Sequence, residues 1–135
     1  MANTLTYNLP LTHENIEAVL NWVAETSAKS KASEKQIFSA RLCSEELFMN
    51  LISHNKTEVI NVVVRLNTNA GRLCLTIIDD GPSFNPLENE PRHADASLDT
   101  ARAGGWGIPF LHHFSDKFDY QRNDNKNIVL LEFNP

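Results

Sequence analysis

Residues 58–66, EVINVVVRL, and 72–79, RLCLTIID, constrain the fold of this chain more than any other feature. Ile60, Val62, Val64 and Leu66 recur every second residue, so they share one face of an extended strand. Asn67 to Gly71 supplies the turn, and 72–79 returns beside the first strand as a hairpin. KFDYQR and NIVLLEF near the C-terminus predict a second hairpin joined by Asn123 to Lys126, and TLTYNL predicts a short first strand ending at Pro10.

Between these strands the period changes. Thr12 is a plausible N-cap for a helix carrying Ile16, Val19, Leu20 and Val23 at helical spacing, broken by the polar stretch Ser27 to Lys31. Ser33 caps a longer helix running to about His54. Its apolar positions include Ile37, Phe38, Leu42, Leu47, Phe48, Leu51 and Ile52, and they cover more than half the circumference, which predicts a central helix. A third helix starts at 107 or 108, because Pro109 fits only where a missing N–H does no harm. Strand, two helices, two strands, helix and two strands predict an α+β fold. It is a two-layer sandwich whose mixed, mainly antiparallel sheet is covered on one face by helices.

The chain of 135 residues reads as one domain, 1–135, long enough for a hydrophobic core without staples. Its formal charge of -5 argues against nucleic acid or an anionic membrane as the main partner. No apolar run approaches the ~20 residues of a membrane span, and MANTLTYNLP lacks the features of a signal peptide. Cys43 and Cys74 stand inside apolar segments rather than in paired motifs, which predicts reduced core residues of a cytoplasmic protein. The segment from Asp80 to Gly104 has no periodicity, and a loop of that length in a small domain serves as a lid or binding loop unless it is disordered.

Three stretches carry chemistry. In EELFMNLISHN, Glu46, Asn50 and His54 are four apart and line one helix face. An amide oxygen at Asn50 suits Mg²⁺, and Glu46 one turn away suits a general base; the competing reading is the polar edge of an amphipathic helix. In IIDDGPSFNP, Asp79 ends a strand where a carboxylate could accept a hydrogen bond from an adenine amine. Gly81 lets the backbone approach a flat ligand, although Asp-Gly-Pro is also ordinary turn chemistry. In GGWGIPFLHHFSD, glycines lead into a helix N-terminus, where free N–H groups and the helix dipole favour an anion. Neither a Walker-type GxxxxGK nor GxGxxG after a strand is present.

Taken in order, these stretches resemble the GHKL superfamily of ATP-binding domains, and most of all the small anti-sigma-factor serine/threonine kinases of bacterial partner-switching systems. SEELFMNLISHN is similar to that family's N box, DDGPSFNP to its first glycine box, and GGWGIPFLHHFSDKFDY to its second. The resemblance implies a Bergerat-type fold binding ATP and Mg²⁺. Glu46 would be the general base, Asn50 the Mg²⁺ ligand and Asp79 the adenine contact beside Gly81. Gly105 and Gly107 would lie along the phosphates, with His54, Phe84 and Trp106 also at the nucleotide. Residues 84–103 would form the ATP lid. The family often has a second glycine where this chain has Ser83. Asp80 competes with Asp79 for the adenine role by a one-residue shift, and Asp79 is favoured because Gly81 then follows two residues on.

The resemblance further implies a kinase that phosphorylates a small antagonist (anti-anti-sigma) protein, or alternatively a nucleotide-responsive module that sequesters a sigma factor with little catalysis. It also implies a homodimer built on the first strand and first helix, and Trp22, off the apolar stripe, is consistent with a contact surface there. A metal hydrolase using His54, His93, His112 and His113 is disfavoured. His112 and His113 point about 100° apart on one helix, so they do not converge easily on a metal, and they are expected at the surface of the last helix.

Overall fold

The computed structural model describes residues 4–54, 60–85 and 107–135, the side chains at 54 and 107–110 excepted. The elements in chain order are β1 (Leu5–Leu11), α1 (His13–Lys29), α2 (Glu34–His54), β2 (Ile60–Asn69), β3 (Arg72–Asp79), α3 (Gly107–Phe114), β4 (Lys117–Asn123) and β5 (Lys126–Phe133). The five strands form one sheet in the order β1-β2-β3-β5-β4. Every adjacent pair is antiparallel, so the sheet is not mixed. Leu73, Leu75 and Ile77 of β3 face the same layer as Val129, Leu131 and Phe133 of β5, and all are buried. Helices α1 and α2 pack on each other and on this face, and α3 packs on α2 and β4. The α+β two-layer sandwich expected from the alternating patterns is the observed architecture.

The strand boundaries follow from turn chemistry. Both hairpins close with two residues at positive φ, Ala70 (53°) with Gly71 (82°) and Asp124 (53°) with Asn125 (60°). That is the type I′ pattern, whose twist matches that of the flanking strands. The first turn is therefore shorter than Asn67 to Gly71, and β2 continues to Asn69. The second is likewise confined to the two residues inside Asn123 to Lys126. Pro10 does not end β1: it lies within the strand opposite Asn61. An edge strand tolerates a residue without an N–H, and β1 pairs only with β2.

The helices differ from expectation in three places. Ser27 does not break α1, which runs to Lys29 with Thr26 and Ser27 buried. It stops at Lys31, whose φ of 64° lets Lys31 N–H donate to the Ala28 carbonyl and Ala32 N–H to the Ser27 carbonyl. Phe38, expected among the apolar positions of α2, is 60% exposed and meets Phe114 edge-on at 6.0 Å. The buried stripe of α2 instead runs through Gln36, Ser39, Ala40, Cys43, Ser44, Leu47, Phe48 and Leu51. Small side chains there permit close approach, and the Ser44 hydroxyl satisfies itself on the Ala40 carbonyl at 2.7 Å. Trp22 stacks on Tyr7 with ring centroids 5.4 Å apart, so an intramolecular contact already accounts for its burial. Cys43 is buried, and burial followed by the charge of Glu46 pushes its thiol pKa up to about 12. Cys74 is not a core residue, because it lies on the sheet face opposite Leu73 and Leu75 and is partly exposed. No helix among the described residues is long and apolar enough to cross a membrane.

Gln36 locks α2 to the sheet. Its Oε1 accepts from Ser33 N–H at 2.8 Å while Ser33 Oγ accepts from Gln36 N–H at 3.1 Å, a reciprocal capping box. Its Nε2 then donates to the carbonyls of Gly71 and Phe133, at 2.8 and 2.9 Å. Gln36→Ala removes half of the box and leaves both carbonyls without this donor. We expect a loss of about 2–3 kcal/mol, read as a lower midpoint in urea unfolding with an unchanged slope.

Candidate functional site

The inward rows of β3 and β5 end in a polar pair. Leu73, Leu75 and Ile77 face Phe133, Leu131 and Val129, and the next register position sets Asp79 opposite Asn127. Both are buried, at 3% and 2% exposure. Burying a carboxylate is costly unless it is hydrogen-bonded. Asp79 Oδ1 accepts from Asn127 Nδ2 at 2.9 Å and from Gly81 N–H at 2.9 Å. Among the described residues, none donates to Oδ2. Burial raises the Asp79 pKa and the Asn127 and Gly81 hydrogen bonds oppose the rise; the charge of Asp80 adds to it, and that of Arg122 lowers it.

Asp79 opens onto a pocket lined by Leu47, Asn50 and Leu51 of α2, Ile77 of β3, Phe84, and Asn127 and Val129 of β5. Its walls are mostly apolar, with polar groups at Asp79, Asn127 and Asn50. A flat heteroaromatic ring with an exocyclic amine suits such a site: the walls take the ring, and a free carboxylate oxygen takes the amine. The donor set thus fits adenine.

The two aspartates have separate duties. Asp80 is exposed, and its carboxylate accepts from Asn61 N–H at 2.9 Å and from Asn61 Nδ2 at 3.1 Å. Its own N–H donates to the Asn61 carbonyl at 3.3 Å. Asp80 therefore extends the β2–β3 ladder, while Asp79 alone faces the pocket. Gly81 is buried and caps Asp79 through its N–H, and its carbonyl accepts from Arg122 Nη1 at 2.9 Å. Ser83 is absent from the residues of positive φ, so its backbone makes no demand for glycine.

On α2, Asn50 lines the pocket and Glu46 stands one turn before it. Glu46 is half-buried, and its Oε2 is a buried oxygen with no hydrogen-bond partner among the described residues. Burial, and then the charge of Glu45, raises its pKa. A carboxylate with an unpaired oxygen and a raised pKa is a stronger base than an ordinary one, which suits it to take up a proton. His54 is the last residue of α2, and its side chain lies outside the described residues. Gly107 opens α3 with Pro109 in its first turn, as expected. Gly105, Trp106 and residues 86–103 of the expected lid lie outside the described residues. His112 and His113 are exposed, as expected.

Asn127 was not singled out in the sequence, where NIVLLEF reads simply as a strand. The available signal was its place in the alternation Asn127, Val129, Leu131, Phe133, a polar residue on an otherwise apolar inward row.

Residues 9–133 match the family model for the histidine kinase-like ATPase domain. The chain is similar to the serine/threonine-protein kinase BtrW of Bordetella bronchiseptica, 28% identical over 132 residues that span 96% of this chain and 93% of the relative. The match takes in the sheet, the long helix and the pocket between them, and the fold agrees with it: this chain belongs to the histidine kinase-like ATPase domain family.

Proposed function

We propose that this protein is an ATP-dependent serine/threonine protein kinase of the anti-sigma-factor type, acting on a small antagonist protein in a partner-switching system. The observation that carries the proposal is the buried Asp79 carboxylate, open on one oxygen, at the head of an apolar pocket that also contains Asn50. Family membership supports ATP as the nucleotide, and similarity to a serine/threonine-protein kinase supports protein phosphorylation.

In this reading Asp79 Oδ2 accepts a hydrogen from the adenine amine, and the apolar residues of α2, β3 and β5 exclude water from the ring. Asn50 presents its amide oxygen to Mg²⁺, which when bound would neutralise charge on the phosphates. Glu46 takes the proton of the substrate serine or threonine hydroxyl as that oxygen attacks the γ-phosphorus, and the bond from the γ-phosphorus to the bridging oxygen breaks to release ADP. The raised pKa makes Glu46 a stronger base than an ordinary carboxylate. Gly105 and Gly107 supply backbone N–H groups to the phosphates, with His54, Phe84 and Trp106 around the nucleotide. The homodimer of this reading is built on β1, an edge strand of the sheet, and α1. Light scattering at micromolar protein should then give twice the chain mass, and a monomeric mass would remove that part of the reading.

Asp79→Asn should weaken ATP binding about 10–100-fold in calorimetric titration, because an amide N–H₂ replaces the acceptor that faces the amine. It should not destabilise the free protein. A folded pKa above the unfolded one means that the stability Asp79 contributes is fully present at acid pH and lost as pH rises through the folded pKa. Ionisation of the buried group opposes folding, and Asn retains the Oδ1 acceptor. The melting temperature of the apo variant should therefore equal or exceed that of the wild type, and native ATP affinity in this variant would overturn the adenine assignment.

Glu46→Gln separates catalysis from binding. Phosphate transfer to a cognate antagonist should fall about 10²–10⁴-fold while ATP affinity stays within a few-fold of wild type. Unchanged transfer would reject Glu46 as the base. Wild type that binds ATP and partner without transferring phosphate would instead favour a nucleotide-responsive module that sequesters a sigma factor.

A further inference from the structure

We propose that Asn127 is the positioning residue of the nucleotide pocket, holding Asp79 and the chain from Gly81 to Phe84 in the one arrangement that selects a 6-aminopurine. The inference rests on the reading of the pocket as an adenine site and adds a residue that neither motif nor family match had identified.

The Asn127 amide is fully used. Its Nδ2 has two hydrogens, one donated to Asp79 Oδ1 at 2.9 Å and one to the Pro82 carbonyl at 2.9 Å. Its Oδ1 accepts from Tyr120 Oη at 2.6 Å, Arg122 Nη1 at 3.1 Å and Phe84 N–H at 3.3 Å. Three donors around one end and two acceptors around the other set the orientation of the amide, because a flip would oppose like groups at four of the five contacts, all but the Tyr120 hydroxyl.

Two consequences follow from that saturation. A carboxylate can ordinarily rotate and exchange its oxygens, but Asp79 Oδ1 is held by Asn127 and by Gly81 N–H. Oδ2 is then left as a fixed, acceptor-only group. Such a group pairs with the amine of adenine and meets the 6-oxo group of guanine with repulsion, so discrimination depends on the carboxylate not turning. The loop after β3 is held by the same side chain through Pro82 and Phe84, with Arg122 taking the Gly81 carbonyl. Tyr120 and Arg122 belong to edge strand β4, so the last hairpin braces the base-recognition end of the pocket from behind.

The test is calorimetric titration of ADP and GDP, each with Mg²⁺, into wild type, Asn127→Leu, Tyr120→Phe and Asp79→Asn, with thermal melts run alongside. Asn127→Leu should weaken ADP binding at least tenfold and shrink the ADP-over-GDP preference at least tenfold. Tyr120→Phe, which removes one of the three donors to Asn127 and little volume, should reduce both by about 2–5-fold. If Asn127→Leu does not fold, Tyr120→Phe decides the matter. An unchanged preference in the folded variants, even with weaker binding overall, overturns the proposal, since loss of packing alone would affect both nucleotides equally. Wild-type ADP affinity in Asp79→Asn, or no nucleotide binding by wild type, overturns the adenine reading itself and this inference with it.

Discussion

One buried hydrogen bond organises this molecule, that between Asp79 Oδ1 and Asn127 Nδ2 across strands β3 and β5. A carboxylate at the inner face of a sheet is among the costlier groups to bury. It is tolerated because the opposing strand brings an amide directly opposite and the next turn brings the Gly81 N–H. The pairing needs β3 and β5 to be neighbours, which the strand order β1-β2-β3-β5-β4 provides and a simple meander would not. The order of the sheet and the polarity of the pocket are in that sense one requirement.

The opposite wall depends on α2. This helix approaches its neighbours closely because Ser39, Ala40 and Ser44 are small, and Gln36 fixes its start against the hairpin turn at Gly71 and the end of β5. With the start fixed, helical pitch determines which side chains arrive three and four turns later. Leu47, Asn50 and Leu51 reach the pocket, and Glu46 is left half-buried beside it. The helix and the sheet each contribute a carboxylate whose pKa is raised mainly by burial. Their roles diverge through hydrogen bonding: one oxygen of Asp79 is held by two donors, and Glu46 Oε2 by none among the described residues.

Much of the fold was legible because period and punctuation agree. The alternation in 58–66 and 72–79 located the first hairpin, Ser33 marked the start of α2, and Pro109 located the start of α3. The two adjacent aspartates part in the structure: Asp79 lines the pocket, and Asp80 is committed to Asn61 on the neighbouring strand. Less was legible where tertiary context overrides residue type. Phe38 is apolar yet exposed, and Ser27 is polar yet buried, because position relative to the neighbouring layer decides burial. Pro10 reads as a strand end by residue type, although an edge strand accommodates it.

The sequence by itself determined the strand and helix periods, the turn chemistry and the antiparallel hairpins. Those depend on neighbours a few residues apart, where spacing is geometry. Only the tertiary structure decided that Asn127 meets Asp79, that Tyr120 and Arg122 stand behind them, and that Trp22 spends its ring on Tyr7. Asp79 and Asn127 are separated by 48 residues. Their meeting is fixed by which strands lie side by side and in what register, and no local pattern in the chain carries that information.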